Sequence, residues 1–90
     1  MTREEIQKSV LKVLLEIAPE ANLDGLKPDL PFREQLDIDS MDQLRFLLAL
    51  HQELGIDIPE ADYPKLTSLA TCVDYLRHRA ADSKGQHALQ

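Results

Sequence analysis

Residues 39–55, DSMDQLRFLLALHQELG, begin and end with residues that delimit an α-helix. Asp39 is a favourable N-cap, and Asp42 places negative charge in the first turn, where the helix dipole stabilises it. At the other end, Gly55 suits the left-handed conformation that commonly follows a helix, and Ile56 offers the apolar contact that accompanies it. The stretch therefore predicts one helix between these two caps.

The apolar residues of this predicted helix form two stripes. At about 100° per residue, counted from Met41, one stripe lies between roughly 140° and 240° and the other between roughly 300° and 360°. The first stripe is an ordinary core face: Phe46, Leu47, Leu50 and Leu54. The second stripe, called the ridge below, consists of Met41, Leu44 and Leu48. Either the helix is buried on two sides, or the ridge is exposed beside Asp39 and Asp42 for a partner with a basic, apolar groove.

Two further helices follow from similar signals. A capping box that begins at Thr2 and a run of apolar positions at helical spacing predict a helix over residues 3–18. The last helix is expected to have its cap at Thr67 or Ser68. Its apolar face comprises Leu69, Cys72, Val73 and Leu76. On this face, Cys72 is predicted to be a buried structural thiol rather than a nucleophile.

The remaining segments predict short elements and a tail. Residues 19–38 have no regular period, yet they carry too many large apolar residues for a disordered linker. We therefore predict an ordered loop across the helices, with a short helical turn near Phe32–Leu36, and another short turn over Glu60–Tyr63. A small, polar composition predicts a disordered tail over residues 80–90. The predicted fold is all-α: a four-helix bundle of three main helices and one short helix, in one domain over residues 1–79.

Composition and charge exclude several classes of function. The chain has 90 residues and only two Phe and two Tyr, so its core is expected to consist of Leu, Ile, Val and Ala. A net charge of −6 provides no basic footprint for nucleic acid, and no apolar run approaches the roughly 18 residues of a membrane span. A single cysteine fits a reducing compartment, and we expect a cytoplasmic monomer.

The acidity is concentrated in one third of the chain. Eight acids and one base give residues 34–62 a charge of −7, whereas the eight acids and nine bases elsewhere give +1. An acidic run can simply serve solubility, but this one flanks the proline-rich loop and the two-striped helix. We therefore expect it to form a docking surface for basic partners.

Residues with catalytic potential are scattered. The three histidines, His51, His78 and His87, lack metal-ligand spacing, and there is no Cys-x-x-Cys pair. Surface carboxylates without a pocket do not provide acid–base catalysis, so we predict that the protein is not an enzyme. Ser40 differs from these residues because its hydroxyl could carry an attached group. Since Asp39 can cap the helix, the serine hydroxyl is left free. The N–H groups and dipole of this turn favour an attached phosphate.

Together these features resemble the acyl carrier protein family, from the first predicted helix to the last. The strongest match is Asp39-Ser40-Met41, which resembles the family's Asp-Ser-Leu attachment motif. Phe32 and Leu36 precede it at the spacing of the family's Phe-x-x-x-Leu segment. Residues 53–59, ELGIDIP, resemble the family's Glu-Phe-Gly-x-x-Ile-Pro stretch.

The resemblance implies that Ser40 carries 4′-phosphopantetheine, transferred from coenzyme A by a phosphopantetheinyl transferase, with Asp39 and Met41 beside it at the attachment site. The arm ends in a thiol that holds acyl groups as thioesters and delivers them to acyl-transferring or acyl-modifying enzymes. Basic docking patches on those enzymes are expected to contact the partner-binding residues of this chain: Asp42, Leu44, Arg45, Leu48, Asp57 and Glu60.

Several departures from the family pattern bear on the pathway. Asp37 stands where the family often has Gly. Arg45, His51 and Gln52 replace acids that are usual on this helix, and Phe46 replaces a smaller aliphatic residue. We expect a docking face that is less acidic and bulkier, and therefore a specialised lipid or polyketide-type pathway rather than housekeeping fatty-acid synthesis.

Two other functions stay open at this point. A peptidyl or amino-acyl carrier of nonribosomal synthesis belongs to the same broad class, but such carriers commonly have a Gly-Gly-x-Ser context, which residues 37–40 lack. An acidic helical adaptor that never receives a prosthetic group would account for the ridge and its acidic flank alone. Modification of Ser40 distinguishes the adaptor from the carriers.

Overall fold

The helices of the chain confirm the all-α prediction, with three long helices and several short ones. The structure is a computed structural model that describes the backbone of residues 2–89 and the side chains of residues 2–80. In chain order the α-helices are α1 (Arg3–Ile17), α2 (Phe32–Gln35), α3 (Ser40–Leu54) and α4 (Leu69–Leu89). Two 3-10 helices, η1 (Leu23–Gly25) and η2 (Glu60–Lys65), lie in the connections. The turns predicted near residues 32–36 and 60–63 are therefore α2 and the first part of η2.

The helix ends are formed by the predicted caps. At the start of α1, the Glu5 backbone N–H donates to Thr2 Oγ1 at 3.1 Å, and the Thr2 N–H donates to Glu5 Oε1 at 2.9 Å. Gly55 ends α3 with φ 65°, in the left-handed region. The last helix uses Ser68, not Thr67: the Thr71 N–H donates to Ser68 Oγ at 3.2 Å. Each long helix thus begins or ends at a local hydrogen bond or a glycine rather than at a tertiary contact.

The core lies between α1, α3 and α4 and includes two aromatic rings. Phe32 and Phe46 are both fully buried and meet edge to face, with ring centroids 5.3 Å apart and planes at 72°. The expected core of aliphatic residues alone is therefore wrong, because these two rings are the largest fully buried side chains. The expectation that Phe46 enlarges the docking face is wrong for the same reason. The ring points into the protein.

The loop between α1 and α2 is ordered, as predicted. Leu23, Leu26 and Leu36 pack against the core, whereas Leu30 is exposed. The Gln35 amide holds the loop closed: its Nε2 donates to the carbonyl oxygens of Lys27 and Leu30 at 2.8 and 2.9 Å. The loop leads into α2, which packs on α3 through the Phe32 and Phe46 rings.

The loop and α2 are also tied to the beginning of α4. The Phe32 N–H donates to the Thr67 carbonyl at 2.8 Å, and the Ala70 N–H donates to the Pro28 carbonyl at 3.0 Å. Backbone pairs of this kind join segments that are about forty residues apart in sequence. The start of α2 and the start of α4 are therefore held together.

The end of the chain belongs to α4 as far as Leu89 in the backbone. The predicted disordered tail, residues 80–90, falls mostly on residues whose side chains lie outside the described part of the structure. Ala80, the last described side chain, is half-buried against the core. The domain boundary at residue 79 stays a prediction. In the described part of the chain, no helix combines the length and the apolar composition needed to cross a bilayer.

Candidate functional site at the start of α3

Ser40 is the first residue of α3, and its side chain is exposed. The cap of the helix is made by its neighbours: the Asp42 N–H donates to Asp39 Oδ1 at 2.9 Å, and the Asp39 N–H donates to Asp42 Oδ2 at 3.2 Å. This reciprocal pair leaves the Ser40 hydroxyl outside the capping box. The predicted free serine at a well-formed helix start is what the structure shows.

The capping hydrogen bonds also set the charge beside Ser40. The pKa of Asp39 is lowered, chiefly because its carboxylate accepts the Asp42 backbone N–H; the nearby positive charge of Arg33 contributes in the same direction. Asp39 is therefore ionised at neutral pH. The first turn of α3 presents a fixed carboxylate, free N–H groups and an available hydroxyl within four residues.

A groove of about 270 Å³ opens beside Ser40, between α3, η2 and the segment that leads into α2. Its lining is mostly apolar and includes Pro31, Leu44, Leu47, Tyr63 and Pro64. The polar residues on its lining include Ser40, Arg33 and Gln43. A group attached to Ser40 Oγ would therefore have an apolar surface directly beside it.

Sequence reasoning missed two residues of this groove. Gln43 lies one helical turn after Ser40; its Nε2 donates to the Leu66 carbonyl at 3.0 Å, while its buried Oε1 has no hydrogen-bond partner. Arg33 is exposed on α2 and reaches the groove from the other side. The i, i+3 spacing of Ser40 and Gln43 was a usable signal. The position of Arg33 depends on the fold of the loop, which has no period to interpret.

The ridge of α3 is exposed, which decides between the two interpretations of its second apolar stripe. The exposed fractions of Met41, Leu44 and Leu48 are 63%, 36% and 49%. On the same side, Arg45 Nη1 lies 3.7 Å from Asp42 Oδ1. The predicted partner-binding residues Asp42, Leu44, Arg45 and Leu48 thus share one surface that starts next to Ser40.

The other two predicted partner-binding residues lie elsewhere. Asp57 follows the far end of α3, an end that is about 21 Å along the helix axis from Ser40, and the Asp57 carboxylate lies 3.5 Å from Arg79 Nη2. Glu60 is exposed at the start of η2. His51 is half-buried, and its Nδ1 accepts the Ile58 N–H at 3.4 Å, so it supports a connection rather than the docking face. The structure brings four of the six residues together.

Among the side chains that the structure describes, the reactive residues away from Ser40 form no second cluster. Cys72 is fully buried, as predicted, and burial raises the pKa of its thiol to about 12. Among the described side chains, no cluster of three His, Cys, Asp or Glu residues has the arrangement of a metal site. The exposed turn at Ser40 remains the candidate site.

Comparison with known proteins identifies the family to which this chain belongs. A family model described as the phosphopantetheine attachment site matches residues 7–76, which include α3 and the groove. The chain belongs to the acyl carrier protein family. An acyl carrier protein of Thermosynechococcus vestitus is 29% identical over 83 residues, covering 90% of this chain and 99% of that protein. Acyl carrier proteins carry acyl groups on phosphopantetheine. The comparisons therefore confirm the predicted general function, an acyl carrier, and the predicted cofactor, phosphopantetheine.

The geometry at the start of α3 fits the prosthetic group of an acyl carrier protein. Phosphopantetheine needs a hydroxyl that is accessible and not engaged in a cap, and Ser40 provides one. Its phosphate is stabilised by a helix N-terminus, and the groove beside Ser40 offers an apolar surface to the methyl and methylene groups of its arm. The unpaired Gln43 Oε1 adds an acceptor for a donor on the arm.

Proposed function

We propose that Ser40 is the residue of this acyl carrier protein that receives 4′-phosphopantetheine. In the transfer, the Ser40 hydroxyl oxygen forms a phosphodiester bond with the phosphorus that carries pantetheine. The pyrophosphate bond of coenzyme A breaks, adenosine 3′,5′-bisphosphate leaves, and the serine proton is released. The observation that carries the proposal is that Ser40 is exposed while Asp39 and Asp42 make the cap.

The residues around Ser40 have distinct effects on the attached phosphate. The N–H groups and dipole of the first turn stabilise it, an interaction of about 0.3–1 kcal/mol for an exposed charge. Asp39 and Asp42 repel it. The exposed guanidinium of Arg33, which lines the same groove, offsets part of that repulsion. When bound, the arm supplies a thiol for thioester formation, and the catalytic groups come from partner enzymes.

The ridge and its charges form the proposed docking surface for those enzymes. Exposed apolar side chains next to carboxylates suit a partner surface in which an apolar depression is bordered by Lys and Arg. Phosphopantetheinyl transferase and acyl-transferring or acyl-modifying enzymes are the proposed partners. Each must approach Ser40, and the ridge starts one residue after it.

Arg45 supports the proposal of a specialised pathway. Its side chain is 65% exposed and stands on the docking surface with a charge opposite to that of Asp42. Gln52, also exposed, is neutral. A partner adapted to this surface requires a matching carboxylate or a neutral group opposite Arg45, which a uniformly basic patch lacks.

Mass spectrometry of the intact protein tests the attachment site. We expect the wild type, incubated with coenzyme A, magnesium and a phosphopantetheinyl transferase of broad specificity, to gain one phosphopantetheine. Ser40→Ala should fold normally, because the Asp39–Asp42 cap remains, and should gain nothing. Ser9→Ala, on α1, serves as the matched control and should be modified like the wild type. A wild type that resists several transferases would favour an unmodified adaptor.

Charge reversal at Arg45 tests the docking surface. We expect Arg45→Glu to change the affinity of a natural partner enzyme by about tenfold, since rim charges mainly alter association and its salt dependence. Titration calorimetry at two salt concentrations measures the effect. Arg77→Glu, which changes the charge by the same amount on α4, is the control. Equal affinities for all three proteins would exclude position 45 as a determinant of partner choice.

A further inference from the structure

The groove beside Ser40 contains a polar atom that the protein leaves without a partner. Among the buried side-chain nitrogen and oxygen atoms of the described residues, Gln43 Oε1 is the one that lacks a hydrogen bond. The orientation of the amide is fixed by Leu66, whose carbonyl accepts from Nε2 at 3.0 Å. Exchanging the two amide atoms would place two acceptors against each other. The unsatisfied atom is therefore an acceptor and needs a donor.

An amide oxygen in this environment is unfavourable in the unmodified protein. Most buried polar atoms are paired, and an unpaired one has lost its hydration without replacement. The groove lining also contains side chains that can donate a hydrogen bond, Arg33, Ser40, Tyr63 and Thr67, but none of them donates to Oε1. A group that enters the groove can supply the missing donor.

The attached group is the one placed to do so. Ser40 and Gln43 are three residues apart on α3 and hence neighbours on one face of the helix. Both line the same groove. A chain that grows from Ser40 Oγ along the apolar lining passes Gln43 within its first few bonds.

We infer that Gln43 is a positioning residue: its Oε1 accepts a hydrogen bond from the attached arm and holds the arm along the groove. The inference rests on the proposed attachment at Ser40. Phosphopantetheine carries two amide N–H groups and a hydroxyl, each of which can supply the missing donor. The apolar carbons between these groups pack on Leu44 and Leu47. An arm that lacks a hydrogen-bond donor where it passes Gln43 leaves Oε1 unpaired and is held less firmly.

The experiment uses the full chain loaded with phosphopantetheine that carries ¹⁵N in both amides. Gln43→Met removes both polar atoms at similar size, whereas Gln43→Glu keeps an acceptor but loses the donor to Leu66. Gln52→Met, on the exposed side of α3, is the matched control. Intact mass first verifies loading of each protein. Hydrogen exchange of the arm amides and the thermal midpoint before and after loading are then measured.

We expect at least one arm amide to exchange about tenfold more slowly in the wild type than in free pantetheine, since a protected amide must first leave its acceptor. Gln52→Met and Gln43→Glu should retain this protection, and Gln43→Met should lose it. If the hydroxyl is the donor, both amides exchange freely. Loading then raises the thermal midpoint of the wild type more than that of Gln43→Met.

Three results would overturn the inference. Free exchange together with equal midpoint shifts in wild type and Gln43→Met would show that the arm is not held at Gln43. Equal loss of protection in Gln43→Glu and Gln43→Met would assign the effect to the Leu66 contact instead. Absence of loading in the mass spectrum would refute the attachment at Ser40, and the inference with it, so the two failures are distinguishable.

Discussion

Asp39 both caps α3 and places a negative charge at the candidate site. Its carboxylate caps α3 and lies next to the serine that we propose as the attachment residue. Because the folded protein favours the ionised carboxylate, the pKa of Asp39 lies below its ordinary value of 3.8. The resulting stabilisation is fully present above the pKa of the unfolded chain. It is lost as the pH falls through the lower pKa of the folded protein.

Replacement of Asp39 by Asn tests this linkage. Asparagine is an equally good N-cap and does not titrate, so Asp39→Asn should retain the helix. We expect the wild type to lose stability as the pH falls through 3.8 and below, and the variant to lose less over the same interval. Urea unfolding at a series of pH values measures both. Parallel curves would mean that the cap does not depend on charge.

At the scale of single residues, the sequence predicts the role of a residue correctly where that role depends only on its near neighbours in the chain. Thr2, Asp39 and Gly55 act through hydrogen bonds or dihedral angles within a few residues, and each was predicted. Gln43 was missed because its significance depends on Leu66, which is 23 residues away. The direction of Phe46 was misjudged when it was compared with a family pattern, although its helical angle already placed it on the core face.

α3 is an element with two different faces, and the structure separates their energetics. Its core face, with Phe46, Leu47 and Leu50, is buried almost completely. Its ridge stays in contact with solvent. Truncating a side chain on the core face leaves a cavity and lowers the stability of the fold. Truncating a side chain on the ridge leaves no cavity, because that side chain is exposed to solvent.

A pair of leucine substitutions on α3 measures this difference. Leu50→Ala should lower the free energy of unfolding by about 2–5 kcal/mol, because a fully buried leucine is lost. Leu48→Ala, its matched control at 49% exposure, should lower it by less than about 1 kcal/mol. Chemical denaturation of both variants provides the values. Similar losses would place the ridge in the core and contradict the docking proposal.

At the scale of elements, periodicity predicted the long helices but not how the connections pack. The two apolar stripes of α3 follow from its 3.6-residue period, yet periodicity alone could not say which stripe faces solvent. That depends on which side of α3 packs against α1. The groove next to Ser40 likewise forms where η2 and the loop before α2 meet α3, and neither segment has a regular period.

The whole molecule is joined by contacts that connect each long helix to a distant part of the chain. Lys12 Nζ on α1 lies 3.0 Å from Glu53 Oε1 on α3, and the Tyr75 hydroxyl on α4 donates to Asp62 in η2 at 2.5 Å. Burial and this hydrogen bond raise the pKa of Tyr75 to about 12. Such pairs are individually weak when exposed, so the buried core supplies most of the stability.

Shortening the chain tests where the folded domain ends. A protein of residues 1–80 keeps Ala80 against the core and Arg79 beside Asp57. We expect its thermal midpoint to lie within about 4 °C of the full chain, a change equivalent to 1 kcal/mol or less for a domain of this size. A protein of residues 1–74 loses the buried Leu76 and should not unfold cooperatively. Circular dichroism distinguishes these outcomes, and a large loss for residues 1–80 would place the boundary later.

The burial of Cys72 has a consequence for chemoselectivity. It is the one cysteine of the chain, and with a pKa of about 12 only about one molecule in 100,000 carries it as thiolate at pH 7. A carrier that bears phosphopantetheine therefore presents a single sulfur that can react as a nucleophile, the thiol at the end of its arm. Cargo on that arm has no sulfur of its own chain to migrate to, and alkylating reagents or disulfide partners should mark the arm alone.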